Sequence, residues 1–407
     1  MFPFQPMGVV HCSVMSQATE SRAVGLFAGI GGIEVGLSNA GWTTELLCEI
    51  DGSAQRVLRD KLPDVPLRDD IRDLGDLPDC DLLTAGFPCQ DLSQAGRTAG
   101  IAGSRSRLVG EVFRLLDGAR PGPRWLLLEN VSFMLSLDRG SAMRWLVDQL
   151  ETRGYTWAYR VVDSRAFGLP QRRQRVILLA SQDADPRPVL FNEDQPSNAP
   201  DEHHGTLACG FYWTEGLRGL GWAVDAVPTL KGGSTIGIPS PPAIWFPESG
   251  YIGTPDIRDA ERLQGFAADW TAASDELSAR RRTDRWKLVG NAVSVPVAEW
   301  VGERLHSTED YLGADQRVLG SKERWPRAAW GRSGERYDID VSMWPVTWKR
   351  PHLQDFLEDA TRPLSARATA GFLDRTRRGN LRISKALIRD LEAHLDNVTV
   401  QPRLIAA

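Results

Sequence analysis

The run Ala23-Val24-Gly25-Leu26-Phe27 breaks directly into Ala28-Gly29-Ile30-Gly31-Gly32, and apolar residues resume at Ile33, Val35 and Leu37. A short apolar run reads as a buried strand, clustered glycines as a tight turn, and the resumed spacing as a helix. Strand, glycine turn and helix in that order open a doubly wound α/β sheet, and the helix N-terminus is where such a sheet takes a small polar ligand. A glycine turn that only packs fits the same residues. Further strands are predicted at 45–50, 81–85, 125–129 and 175–180, with amphipathic stretches at 107–116 and 141–152 between them. Strand and helix alternate, so a mostly parallel sheet is expected.

The chain is 407 residues long, 42% hydrophobic and 25% charged, which suits a globular protein of two or three domains and excludes a fibrous or disordered one. No apolar run is long enough to span a bilayer, and residues 1–20 lack the pattern of a signal peptide, so a cytoplasmic location is expected. Those twenty residues read as a loose leader, with Met7 or Met15 as alternative starts. Five cysteines without a CxxC pair, and six scattered histidines, argue against a disulfide framework and against a metal site. The net charge of −5 is unusual for a partner of nucleic acid. Arginines nevertheless gather at 105, 107 and 114, at 172, 173 and 175, and at 280–282 and 285 beside Lys287. Each cluster alone reads equally well as a solvated face.

Composition changes near Asp183. From there to about Asp256 the chain is rich in Pro, Gly, Asn and Trp, as in a loop-rich second domain. Residues 257–268 and 292–305 return to helical spacing. Beyond 309 a Trp- and Arg-rich stretch leads into a helical pattern at Leu381, Ile383, Leu387, Ile388, Leu391 and Leu395.

In Gly86-Phe87-Pro88-Cys89-Gln90 a cysteine follows a rigid Phe-Pro step at the end of an apolar run, which makes Cys89 a candidate nucleophile. Glu49 ends the next predicted strand, twenty residues beyond Gly29, where a carboxylate can accept ribose hydroxyls. No Gly-Lys-Ser/Thr phosphate loop is present, so a nucleoside without phosphates fits better than a nucleotide.

The glycine turn, the Phe-Pro-Cys-Gln stretch, Leu128-Glu129-Asn130-Val131, Gln171-Arg172-Arg173-Gln174-Arg175 and Gly290-Asn291-Ala292-Val293 resemble, in order and spacing, the cytosine-C5 DNA methyltransferase family over residues 24–305. The resemblance implies a Rossmann-like methyltransferase fold with a smaller target-recognition domain and a C-terminal extension. It implies S-adenosylmethionine as cofactor, without a metal, and double-stranded DNA as substrate. Carried across on these motifs, Phe27, Gly29, Gly31 and Gly32 line the methionine and adenosine, Glu49 the ribose, Ile50 and Asp70 the adenine, and Leu108, Asn291 and Val293 the remaining wall. The family often has an acid two residues before the Phe; here that place is Gly25.

Cys89 is then the thiolate that adds to cytosine C6, Glu129 the acid at N3 and the exocyclic amine, and Asn130 the brace of the Pro88-Cys89 turn. Arg173 and Arg175 hold the base carbonyl, a phosphate and the Cys89 loop. Gln90, Ser93, Arg105 and Gln171 contact DNA. The loop 91–107 is the lid over an extruded base. Base readers are sought among Tyr212, Thr214, Glu215, Arg218, Thr229, Lys231, Ser234 and Thr235, and ordinary loop residues are the alternative for each.

The resulting expectation is a leader at 1–20, a catalytic and cofactor-binding domain at 21–185, target recognition at 186–284, a closing catalytic segment at 285–306, and an extension of unknown role at 307–407. The expected activity is DNA (cytosine-5-)-methyltransfer by a monomer, within a restriction-modification system alongside a cognate endonuclease or as a solitary relative. A tRNA cytosine-C5 methyltransferase and a non-catalytic DNA-binding relative are the alternatives.

Overall fold

The computed structural model describes residues 21–88, 107–198, 205–232, 241–277, 282–307, 309–381 and 383–405. Ten strands form the larger sheet: β1 (Arg22–Leu26), β2 (Thr43–Cys48), β3 (Leu67–Arg68), β4 (Leu82–Ala85), β5 (Trp125–Val131), β6 (Thr156–Asp163), β7 (Gln174–Ser181), β8 (Gln316–Val318), β9 (Ala328–Arg332) and β10 (Glu335–Ile339). Their spatial order is β8-β10-β9-β6-β7-β5-β4-β1-β2-β3. The half from β5 to β3 is parallel, as the strand–helix alternation predicts. From β5 outward every pairing is antiparallel, so the whole sheet is mixed. The three outermost strands come from the segment beyond 309, which carried no strand expectation. Trp325 anchors them: its ring meets Trp157 and Tyr159 of β6 edge-on, and its indole N–H donates to the Gly140 carbonyl at 2.9 Å.

Central strands are apolar on both sides because both faces are covered. Val24, Leu26, Leu83, Leu126 and Leu128 point into one core with the helices Arg107–Gly118 and Ser141–Glu151. Ala23, Leu82, Leu127 and Leu179 point into the other, against the helices Gly32–Asn39 and Val295–Leu305. The second of these starts later than the expected 292, because Pro296 belongs in a first helical turn and Ala292 to Ser294 are the approach to it.

The smaller sheet is antiparallel and joins Trp222–Val224, Cys209–Phe211, Ala243–Phe246, Tyr251–Thr254 and Arg362–Pro363. Two expected boundaries move. Residues 187–191 form a helix whose Val189, Leu190 and Phe191 sit in the core of the large sheet. The segment 307–407 divides: its strands lengthen the large sheet, while residues 362–391 complete the small one. No helix among the described residues is long and apolar enough to cross a membrane.

Candidate active site

The carboxyl ends of β1, β2, β4 and β5 open into a cleft of about 1070 Å³, lined on its far side by residues 229–232 and 287–292. β1 delivers Phe27, whose φ of 55° is rare for an aromatic residue and turns the chain into the glycine loop. Gly29 follows with φ 58° and open space where a side chain would stand. Its N–H donates to the Glu49 carboxylate at 2.8 Å, and the Asp51 N–H donates to the other carboxylate oxygen at 2.7 Å. Glu49 is thus fixed at the end of β2. Burial raises the pKa of its carboxyl, and the two N–H donors oppose that rise.

Ile50 is 62% exposed, an apolar side chain held open in the cleft. Asp70 lines the same wall, its carboxylate gripped by Arg72 and its pKa lowered by that contact. Across the cleft Lys287 reaches Asp51 at 2.6 Å, which ties the helix Arg282–Asn291 to the β2 end. Leu108 and Asn291 complete the lining.

Gly31, Gly32 and Val293, expected at the cofactor, stand behind the lining. Gly31 caps the helix Gly32–Asn39 in the left-handed region. A Cβ on Gly32 would come within 2.4 Å of the Val293 carbonyl oxygen, so this glycine permits a close packing of chain on chain. Gly25 has a similar role: a Cβ there would lie 2.1 Å from a Glu34 carboxylate oxygen. Glu34 is buried, neither oxygen has a hydrogen-bond partner among the described residues, and burial raises its pKa to about 7.

At the other end of the cleft Glu129 on β5 faces Arg175 on β7, guanidinium Nε to carboxylate oxygen 2.9 Å. Burial pushes the Glu129 carboxyl upward, against the pull of Arg175 and then Arg173. Asn130 uses its side-chain N–H to hold the Phe87 carbonyl at 2.9 Å, one residue before Pro88. Cys89, Gln90, Ser93 and Arg105 lie outside the described residues, as do most of the expected lid and the readers Ser234 and Thr235. The described cysteines Cys48, Cys80 and Cys209 are all buried, which raises each thiol to about 12 and leaves none of them a thiolate at neutral pH.

Two expected contacts are corrected. Arg173 is 1% exposed and directs its two terminal guanidinium nitrogens to the carbonyls of Leu230, Gly290 and Ala292, so they face the protein's own backbone and not the open cleft. Gln171 is fully buried; its amide bonds Leu263, Gln264 and the Leu230 N–H, which leaves no atom for DNA. Both residues tie Leu230 to the approach to β7, Gln171 together with Leu263 and Arg173 together with Gly290 and Ala292. Sequence reasoning singled out Lys231 as a base reader, and the structure puts it in the cleft wall; it missed Phe133, 60% exposed in the cleft lining, and the Asp51–Lys287 bridge. Only the exposed apolar Phe133, three residues after Asn130, carried any sequence signal.

Comparison with known proteins bears on the same residues. The family model described as C-5 cytosine-specific DNA methylase matches residues 21–208. The type II methyltransferase M2.BsuMI of Bacillus subtilis (strain 168) is 49% identical over 379 residues, covering 91% of this chain and 97% of its own length. The type II methyltransferase M.NgoBI of Neisseria gonorrhoeae is 30% identical over 295 residues, covering 68% of this chain and 90% of its own. Among solved structures, the S. pombe Dnmt2 methyltransferase superposes with a TM-score of 0.50 at 16% identity, covering 69% of this chain and 97% of that one; this likeness concerns the fold alone.

Proposed function

Because the chain belongs to the C-5 cytosine-specific DNA methylase family and is a DNA (cytosine-5-)-methyltransferase, we propose that its cleft binds S-adenosylmethionine at the β1–β2 end and an extruded cytosine at the β5 end. The residues present fit that cofactor. Glu49, Asp51, Asp69 and Asp70 give the cofactor end an acidic lining, Ile50 an exposed apolar platform and Gly29 an open backbone. Such a lining suits a cationic nucleoside and opposes the phosphates of a nucleotide. Bound there, S-adenosylmethionine supplies an electrophilic methyl group. Glu49 accepts the ribose hydroxyls, and Ile50 packs on the adenine.

At the cytosine, the Cys89 thiolate adds to C6 and turns C5 into a carbon nucleophile. Glu129 donates a hydrogen bond toward N3 as negative charge develops on the ring, a task that the upward push of burial on its carboxyl favours. Once C5 carries the methyl group, loss of its proton and expulsion of the thiolate restore the aromatic ring. The observation that carries this reading is the buried Glu129 with its raised pKa, held at the cleft by Arg175 beside an Asn130 that grips Phe87. Asn130 thereby steadies the turn that precedes Cys89. The enzyme acts as a monomer on double-stranded DNA in the cytoplasm, as the modification member of a restriction-modification pair.

The test is Cys89→Ser, read by bisulfite sequencing of DNA from expressing cells and by calorimetry with S-adenosylmethionine. Methylation should vanish while cofactor affinity stays. DNA containing 5-fluorocytosine should trap the wild type as a gel-stable adduct, since fluorine cannot leave as a proton. A Cys89→Ser protein that methylates normally would refute the covalent route.

A further inference from the structure

The small sheet lacks half its core until the chain returns to it. Residues 205–254 supply Cys209, Phe211, Val224, Ala243, Trp245 and Ile252; the other half is Leu364, Ala368, Phe372, Leu373, Leu387 and Leu391. The return begins as a strand, with Arg362 and Pro363 pairing Thr254 and Gly253, and continues in two helices, Ala366–Arg378 and Lys385–Ile405. Phe372 of the first helix packs on Phe211 with ring centroids 5.0 Å apart. Asp390 of the second accepts the indole N–H of the fully buried Trp245 at 3.0 Å. The opposite face of the sheet is already occupied: Ala208, Val227 and Ile244 meet Ala260, Leu263 and Val289. The helices are therefore the only cover, among the described residues, for the face that carries Phe211 and Trp245.

One contact runs from these helices to the cleft. Arg375 donates from Nε to the Glu215 carbonyl at 3.0 Å and from Nη2 to the Trp213 carbonyl. The Glu215 carboxylate in turn accepts the Gly221 N–H and pairs with Lys231. The Lys231 ammonium lies 3.9 Å above the Tyr212 ring, and the Tyr212 hydroxyl holds the Thr229 carbonyl at 2.7 Å. Thr229 and Lys231 are themselves cleft wall.

We infer that the target-recognition unit is built from two separated stretches, about 205–254 and 353–405, and that Arg375 is a positioning residue through which the second stretch sets the cleft-facing edge of the first. This rests on the reading, expected from the family resemblance, that the segment carrying the small sheet recognises the DNA target. It revises the expected target-recognition boundary of 186–284, because strands exchanged without the second stretch would meet helices shaped for another core.

Two grafts into an active relative of known target, one carrying 205–254 alone and one carrying both stretches, separate the possibilities. Methylation mapped by bisulfite sequencing should move to this protein's target only with both stretches. Transfer by the first stretch alone would overturn the inference. An active two-stretch graft that still marks the recipient's own site would overturn the reading beneath it, placing recognition outside this sheet.

Should the grafts fail to fold, Arg375→Ala in the full chain decides the matter. The KM for DNA should rise about tenfold, the equivalent of roughly one hydrogen bond from a charged donor, with kcat and cofactor affinity within about twofold. Arg375→Lys, which keeps the charge but not the fork, should fall between. An unchanged KM for DNA in Arg375→Ala, or a loss confined to kcat, would remove Arg375 from this role.

Discussion

Arg175 and Glu129 meet as diagonal neighbours across an antiparallel strand pair: Arg175 is in register with Val131, Glu129 with Ile177, and the side chains close to 2.9 Å on the cleft-facing side. The strand register alone brings cation and acid together, and no loop has to place either of them. Their separation in sequence is wide, yet their geometry is as firm as the sheet.

Replacing the cation therefore isolates the acid. In Arg175→Leu the carboxyl of Glu129 loses the first of the two charges that hold its pKa down, so its pKa should move further up. Methyl transfer should fall by about a hundredfold or more, as when a catalytic group loses its orientation. Cofactor affinity, measured by calorimetry, should stay within about twofold, because Arg175 stands at the far end of the cleft from Glu49. Equal losses in both would place Arg175 in the cofactor site instead.

Arg173 should behave differently from its neighbour. Three backbone carbonyls depend on its guanidinium, so Arg173→Met should cost about 3–5 kcal/mol of stability in urea denaturation. Arg173→Lys should recover only part of this, since an ammonium cannot span the same acceptors. A stable Arg173→Met protein that has lost only DNA affinity would restore the phosphate-binding role.

Glu49→Gln should weaken S-adenosylmethionine binding by about 1.5–3 kcal/mol, the range for a lost charge-assisted hydrogen bond. Titration calorimetry reads this directly. DNA binding without cofactor should hardly change, and unaltered cofactor affinity would remove Glu49 from the ribose site.

Glu34 predicts a pH dependence of stability. Its carboxyl titrates near 7 when folded and near 4.5 as the ordinary value, so both states are protonated at acid pH and the difference appears as pH rises between those values. Stability conferred by the neutral form is complete below about pH 4.5 and lost as pH passes through 7, a fall of about 3 kcal/mol. Urea denaturation of Glu34→Gln at pH 5 and pH 8 should show this component gone. An identical pH profile in wild type and variant would refute the raised pKa.

The parallel half of the sheet was legible because each of its longer strands is a short apolar run closed by a turn signal, and the glycine loop announced the first crossover. Cleft residues Phe27, Gly29, Glu49 and Glu129 were legible for the same reason: they sit where such strands end. Of the antiparallel half only β7 was legible, as the apolar run 175–180. β8 to β10 are short, β8 and β10 are partly exposed, and they acquire strand form through β9, which pairs with β6 and on which β10 and then β8 build, a set of contacts no local pattern encodes. Arg173 and Gln171 misled because sequence gives a residue's chemistry but not its direction. Both look like DNA ligands, and tertiary packing turned their donors onto carbonyls of the protein itself.

Trp245 lies 145 residues ahead of Asp390, the acceptor that completes its burial. At ordinary translation speeds of roughly 5–20 residues per second, the interval between them lasts about 7–30 s. Until the helix bearing Phe372 emerges late in that interval, the nascent small sheet presents Phe211 and Trp245 without these partners, a surface for chaperones to guard. The strands bearing Glu49 and Glu129 leave the ribosome long before this. The cleft wall at 287–292 is made within the same interval, so the lining of the cleft is complete before the small sheet is covered.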